Sequence, residues 1–67
     1  MTIKQFRKRH EGHSVALLPN THEMRKDIIR NIAFNKSMMK GTDRHIRQNY
    51  EETIRFYEAM CKELEGV

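Results

Sequence analysis

The clearest pattern in this chain is the stretch of residues 43–65, DRHIRQNYEETIRFYEAMCKELE. Mostly apolar residues recur in it at alternating intervals of four and three, the repeat of a helix with one buried face. The members of this stripe are Ile46, Tyr50, Thr53, Tyr57, Met60 and Leu64. Thr42 is a favourable N-cap, Asp43 a favourable first-turn charge, and Gly66 can end the helix. The stretch therefore predicts an amphipathic helix with Tyr57 in the middle of the core.

A second helix is predicted just before it, over about residues 21–40, with Asn20 as N-cap and Glu23 three residues later. Gly41 stops this helix, and so short a connection makes the two helices antiparallel neighbours. The apolar surface of this helix is wider than one partner helix covers, which predicts a homodimer. The expected dimer interface comprises Met24, Ile28, Ile32, Phe34 and Met39.

Two asparagines, Asn31 and Asn35, fall near the middle of that apolar surface. Asparagine is a poor residue inside a helix, so one interpretation is that the helix frays or bends there. The alternative is that the two side chains fix the register of an interface, as a buried asparagine does in coiled coils.

The N-terminal segments are harder to interpret. Thr2 and Gln5 fit a capping box, but a helix of one or two turns is rarely stable alone, so a basic arm over residues 1–13 is preferred. Residues 14–19 are expected to be extended, as a short strand or segment, because Pro19 disfavours a helical Leu18. The whole prediction is one small, mostly α domain over residues 1–67: arm, extended segment, and a helical hairpin over residues 20–66.

The order of extended segment, proline, helix, Gly-Thr and helix resembles that of ribbon-helix-helix DNA-binding dimers. Proteins of that family read bases with polar side chains on the ribbon, and here the segment Ser14–Leu18 offers only Ser14. The resemblance covers the order of elements and carries no motif, so it assigns no family.

Several functional classes are disfavoured by composition. Cys61 is the only cysteine, so no disulfide forms within the chain. His10 and His13 lack the further ligands of a zinc site, and no spacing suggests a catalytic pair, a phosphate-binding loop or a cofactor site. No apolar run is long enough for a membrane span, and the basic N-terminus leads into no signal-peptide core. We expect a cytoplasmic protein that is not an enzyme and binds neither metal nor cofactor.

The distribution of charge is the one positive functional signal. Residues 1–13 and 14–41 each carry a net charge of +3, and residues 42–67 carry −2. In a hairpin, cations at the end of one helix and the start of the next meet at the tip. The expected binding residues, in the arm and at this tip, are Lys4, Arg7, Lys8, Arg9, Lys36, Lys40, Arg44 and Arg47.

Such cations suit the phosphates of nucleic acid. The first functional hypothesis is therefore a regulator that binds nucleic acid, or a nucleic-acid-handling complex, through the arm and tip. The alternative is a protein inhibitor or adaptor, of the kind mobile elements encode, that masks a surface of a host enzyme without touching nucleic acid. A third interpretation is that the basic residues are merely solvated.

Overall fold

The computed structural model describes all residues, Met1–Val67, and its regular secondary structure is entirely helical, with no strand. Helix α1 spans Ile3–Arg9, a 3-10 helix spans Ser14–Leu17, α2 spans Thr21–Met39 and α3 spans Arg44–Glu65. The two long helices pack against each other along their length, which is consistent with the predicted hairpin. The molecule is elongated, measuring 39 × 19 × 17 Å. None of its helices combines the length and the apolar character needed to cross a membrane.

The ends of the hairpin helices follow their capping residues. The side chain of Asn20 accepts a hydrogen bond from the Glu23 amide at 2.9 Å, as predicted. Gly41 has φ of +78°, a value in the left-handed region where glycine carries no Cβ penalty. The N-cap of α3 is Asp43 rather than Thr42, because the Asp43 carboxylate accepts from the Ile46 amide at 3.1 Å.

The predicted arm is in fact a helix. Thr2 and Gln5 form the reciprocal capping box, with bonds of 2.8 and 3.1 Å between side chain and backbone. The prediction of an arm was wrong because it considered only the stability of a short helix in isolation. Phe6 is completely buried against the long helices, and this tertiary packing stabilises a helix too short to persist alone.

The segment after α1 is also helical where an extended conformation was expected. His13 begins the 3-10 helix: its Nδ1 accepts a hydrogen bond from the Val15 amide at 3.2 Å. Leu18 itself is extended, with φ of −73° and ψ of 151°, as its position before Pro19 predicted. Because the segment is not a strand, the order of elements differs from that of ribbon-helix-helix proteins.

The core lies at one end of the hairpin, where α1 and the 3-10 helix cover both long helices. We call this end the base; it comprises residues 1–32 and 51–67. The central cluster of buried side chains comprises Phe6, Val15, Met24, Ile28, Met60 and Leu64. Tyr57 and Ile32 are only partly buried against this cluster, so Tyr57 is at its edge and not at its centre.

The other end, residues 33–50, has no third element packed on it, and we call it the tip. Asn35 is the only buried residue there. Its amide donates to the Asn31 carbonyl at 2.7 Å, and the Asn31 amide donates to the Asp27 carbonyl at 2.9 Å. Helix α2 continues unbroken through both residues, so they do not fray it.

Candidate functional site

The eight predicted binding cations are all exposed, but two of those near the N-terminus have intramolecular partners. Arg7 donates from Nη2 to the carbonyls of Leu18 and Pro19, at 2.9 and 3.2 Å. Arg9 places Nε 3.4 Å from a carboxylate oxygen of Glu63. Through these contacts α1 is linked to the segment before α2 and to the end of α3. Lys4 and Lys8 make no ion pair, and nothing gathers them with the cations of the tip.

The hairpin turn places Lys36 and Lys40, which end α2, and Arg44 and Arg47, which begin α3, at the same end of the molecule. Lys36 is in the last turn of α2 and Lys40 is its C-cap, and Arg44 and Arg47 are one turn apart on α3. We call these four residues the cationic face.

The helical register shows which side of the hairpin this face occupies. On α3, Phe56 packs near the rings of His10 and His13, with centroid distances of 6.1 and 5.8 Å, so it lies on the side covered by the N-terminal elements. Asn49, two turns before Phe56, shares its side, and Arg47 is two residues further back and hence on the opposite side. The cationic face therefore points away from α1.

The same holds on α2. Asp27 and Arg25 flank the buried stripe of Met24 and Ile28 on opposite sides; Asp27 is half-buried whereas Arg25 is exposed, so Asp27 lies on the covered side. Phe34 is seven residues after Asp27 and shares its side. Lys36, two residues beyond Phe34, is on the other side. The two ends of the hairpin turn thus place their cations on one common surface.

Few carboxylates oppose this surface. Asp43 is engaged as the N-cap of α3, and Glu51 lies 3.8 Å from Arg47 at i+4 spacing. Lys36, Lys40 and Arg44 form no ion pair within 4.0 Å. The first turn of α3 contains no acidic residue, although the helix dipole favours one there. The arrangement costs a little helix stability and leaves positive charge free for contact.

The outer surface of α3 carries a shallow depression of about 610 Å³ beside the cationic face. It is lined by Thr42, Arg44, Arg47, Gln48, Glu51, Glu52 and Arg55. Pockets for small organic ligands are predominantly apolar, whereas no hydrophobic residue lines this one. Its lining mixes three arginines with two glutamates and is not that of a small-molecule pocket.

The histidines near the N-terminus have structural partners that sequence reasoning missed. His10 Nε2 lies 2.6 Å from a carboxylate oxygen of Glu63, linking α1 to the end of α3. His13 accepts at Nδ1 from the Val15 amide, so in the neutral ring Nε2 carries the proton toward the Tyr57 oxygen. Burial, and then the charge of Asp27, raises the pKa of the Tyr57 hydroxyl. No three His, Cys, Asp or Glu side chains are grouped as metal ligands would be.

Comparison of the chain with protein-family models, with curated proteins and with solved structures found no match.

Proposed function

We propose that this protein is a non-enzymatic, cytoplasmic regulator that acts as a homodimer and binds nucleic acid, or a nucleic-acid-handling complex, through the cationic face at its tip. The observation that carries the proposal is the meeting of Lys36, Lys40, Arg44 and Arg47 at the uncovered end of the hairpin, with only one of them near a carboxylate.

The site that we propose contains fewer residues than the one predicted from the sequence. Arg7 and Arg9 have intramolecular partners, so the segment around them serves the fold. The tip offers a convex, protruding end of an elongated molecule, which can approach the phosphates of a duplex groove or of a single strand. Each phosphate neutralised by a lysine or arginine releases condensed counterions, so binding by this face is expected to depend steeply on salt.

A second candidate is the protein inhibitor or adaptor that masks a surface of a host enzyme. It is favoured by the exposed apolar side chains of the tip, because exposed Phe34 and Met38 are more typical of a protein contact than of a phosphate contact. Salt dependence separates the two candidates, since contact with an apolar protein surface releases no condensed counterions.

The test is titration of labelled duplex and single-stranded oligonucleotides at several salt concentrations. The triple variant K40E/R44E/R47E should keep its helicity and melting behaviour, because surface substitutions usually change stability by no more than about 0.5 kcal/mol. Its affinity should fall by more than roughly tenfold, and the logarithmic salt slope should decrease by about three, one for each lost phosphate contact.

The matched control is R25E/K26E/R30E, which changes net charge equally on exposed residues of the base half of α2. It should bind much more tightly than the tip variant. If the two variants lose affinity equally, binding follows net charge alone. If the parent binds neither oligonucleotide at low salt, the nucleic-acid proposal is wrong.

A further inference from the structure

The tip carries a second surface, on the side opposite the cationic face. Phe34, Met38 and Ile46 expose 61%, 42% and 46% of their surface, and we call these three residues the apolar shelf. Phe34 and Met38 are one turn apart on α2, and Ile46 lies in the seam between α2 and α3, where the tip has no covering element.

The apolar shelf continues the surface that is covered at the base. Asp27, Phe34 and Met38 follow one another along one side of α2, at offsets of seven and four residues. Near Asp27 this side is half-buried, and the 3-10 helix packs on this half of the molecule against α2. Further along α2, toward the tip, no element packs on this side, and Phe34 and Met38 are exposed. The shelf therefore has the character of a core surface that lacks its second layer.

The molecule also exposes more surface than a compact monomer of its size. Its accessible surface is 5150 Å², whereas a folded monomer of 8.1 kDa is expected to expose roughly 4500 Å². The excess, about 650 Å², is close to the roughly 800 Å² that each partner buries in a standard protein interface. One interface of ordinary size would bring the chain near the surface area of a compact protein.

The charge around the shelf indicates which partner fits it. The side chains between the two helices on this side are uncharged: Asn31 and Asn35 on α2, and Asn49, Tyr50 and Thr53 on α3. The charged residues on this side of α2, Asp27 and Arg30, have opposite signs, so a strongly acidic or basic partner would meet no net opposite charge there. A second copy of the same neutral, apolar surface is complementary, and its cations point away on the far side.

We infer that two copies of this chain dock tip against tip through the apolar shelf, around a twofold axis, with both cationic faces outward. In such an isologous interface each shelf covers the other. The inference rests on the proposed homodimer and assigns its interface. Met24 and Ile28, predicted for that role, are completely buried within a single chain, and of the predicted interface residues Phe34 is the one exposed on this surface.

The experiment is sedimentation equilibrium of the full chain, without nucleic acid, from about 1 to 200 µM. The parent should dimerise, and F34E should weaken dimerisation by about 100-fold or more, because the interface would have to bury an unpaired carboxylate. The control is I29E: Ile29 is 54% exposed on the same helix but lies on the opposite side. It should dimerise like the parent.

Circular dichroism of both variants establishes that they are folded. If the parent stays monomeric at 200 µM, the inference is wrong, and a different protein becomes the expected partner of the apolar shelf. Dimers that survive F34E but dissociate with I29E would overturn it as well, placing the interface on the cationic side. Because no nucleic acid is present, these outcomes are independent of the oligonucleotide titration.

Discussion

Phe6 at the base and Phe34 at the tip are the same residue type on helices of one small domain, yet the first is completely buried and the second is 61% exposed. At the base, α1 and the 3-10 helix add a layer over the hairpin; at the tip, α2 and α3 stand alone. The comparison teaches that the buried core of this chain is concentrated at one end of the hairpin. The base supplies the packing, and the tip has the apolar and cationic side chains that packing does not use.

The largest expected effect tests that separation with one substitution at each end. Phe6→Ala should destabilise the fold by about 3–5 kcal/mol, the usual cost of truncating a buried aromatic side chain. This is comparable with the whole stability of a small domain, so the variant should be largely unfolded at 25 °C. Phe34→Ala should stay within about 0.5 kcal/mol at monomer concentrations. Denaturant unfolding followed by circular dichroism measures both; equal losses would mean that the tip is part of the core.

A smaller effect is expected from the polar link between α1 and α3. The Glu63 carboxylate lies 2.6 Å from His10 Nε2 and 3.4 Å from Arg9 Nε, and its side chain is 23% exposed. Glu63→Ala should therefore cost about 1–2 kcal/mol, since a hydrogen bond to a charged group is partly screened by solvent at this depth. Glu58→Ala, on the same helix without an ion pair, is the control and should be nearly neutral. No difference between the two variants would show that apolar packing alone holds α1.

The smallest expected effect is a dependence of stability on alkaline pH. Because the pKa of Tyr57 is raised in the folded chain, the unfolded chain loses this proton first, at about pH 10. The contribution is fully present below that pH and is lost as the pH rises through the folded pKa. Urea unfolding from about pH 8 to 11 should show a steeper decline for the parent than for Tyr57→Phe. Parallel declines would assign the slope to other groups.

Much of the fold was predictable from local signals. Asn20, Gly41 and the four-three repeat of α3 placed both long helices to within a residue of their observed ends. The capping box of Thr2 and Gln5 was also recognisable in the sequence. What the local signals could not show is that Phe6 docks on the hairpin, since that packing involves residues distant in the sequence, from Met24 to Leu64.

The candidate site divides in the same way. That Lys36, Lys40, Arg44 and Arg47 lie at one end of the hairpin follows from a short turn between antiparallel helices. Which side of the hairpin is covered depends on where α1 and the 3-10 helix pack, and no periodicity encodes it. The predicted interface therefore mixed residues of the core, such as Met24, with exposed ones, such as Phe34.

The contact between α1 and the end of α3 also bears on the order in which the chain folds. His10 and Glu63 are 53 residues apart in sequence, whereas α2 and α3 meet across the few residues around Gly41. Closing the longer loop costs more entropy, so the hairpin is expected to form first and α1 to dock late. Milder truncations of Phe6 should then speed unfolding and leave the refolding rate almost unchanged. A residue that contributes strongly to equilibrium stability would thus contribute little to the transition state.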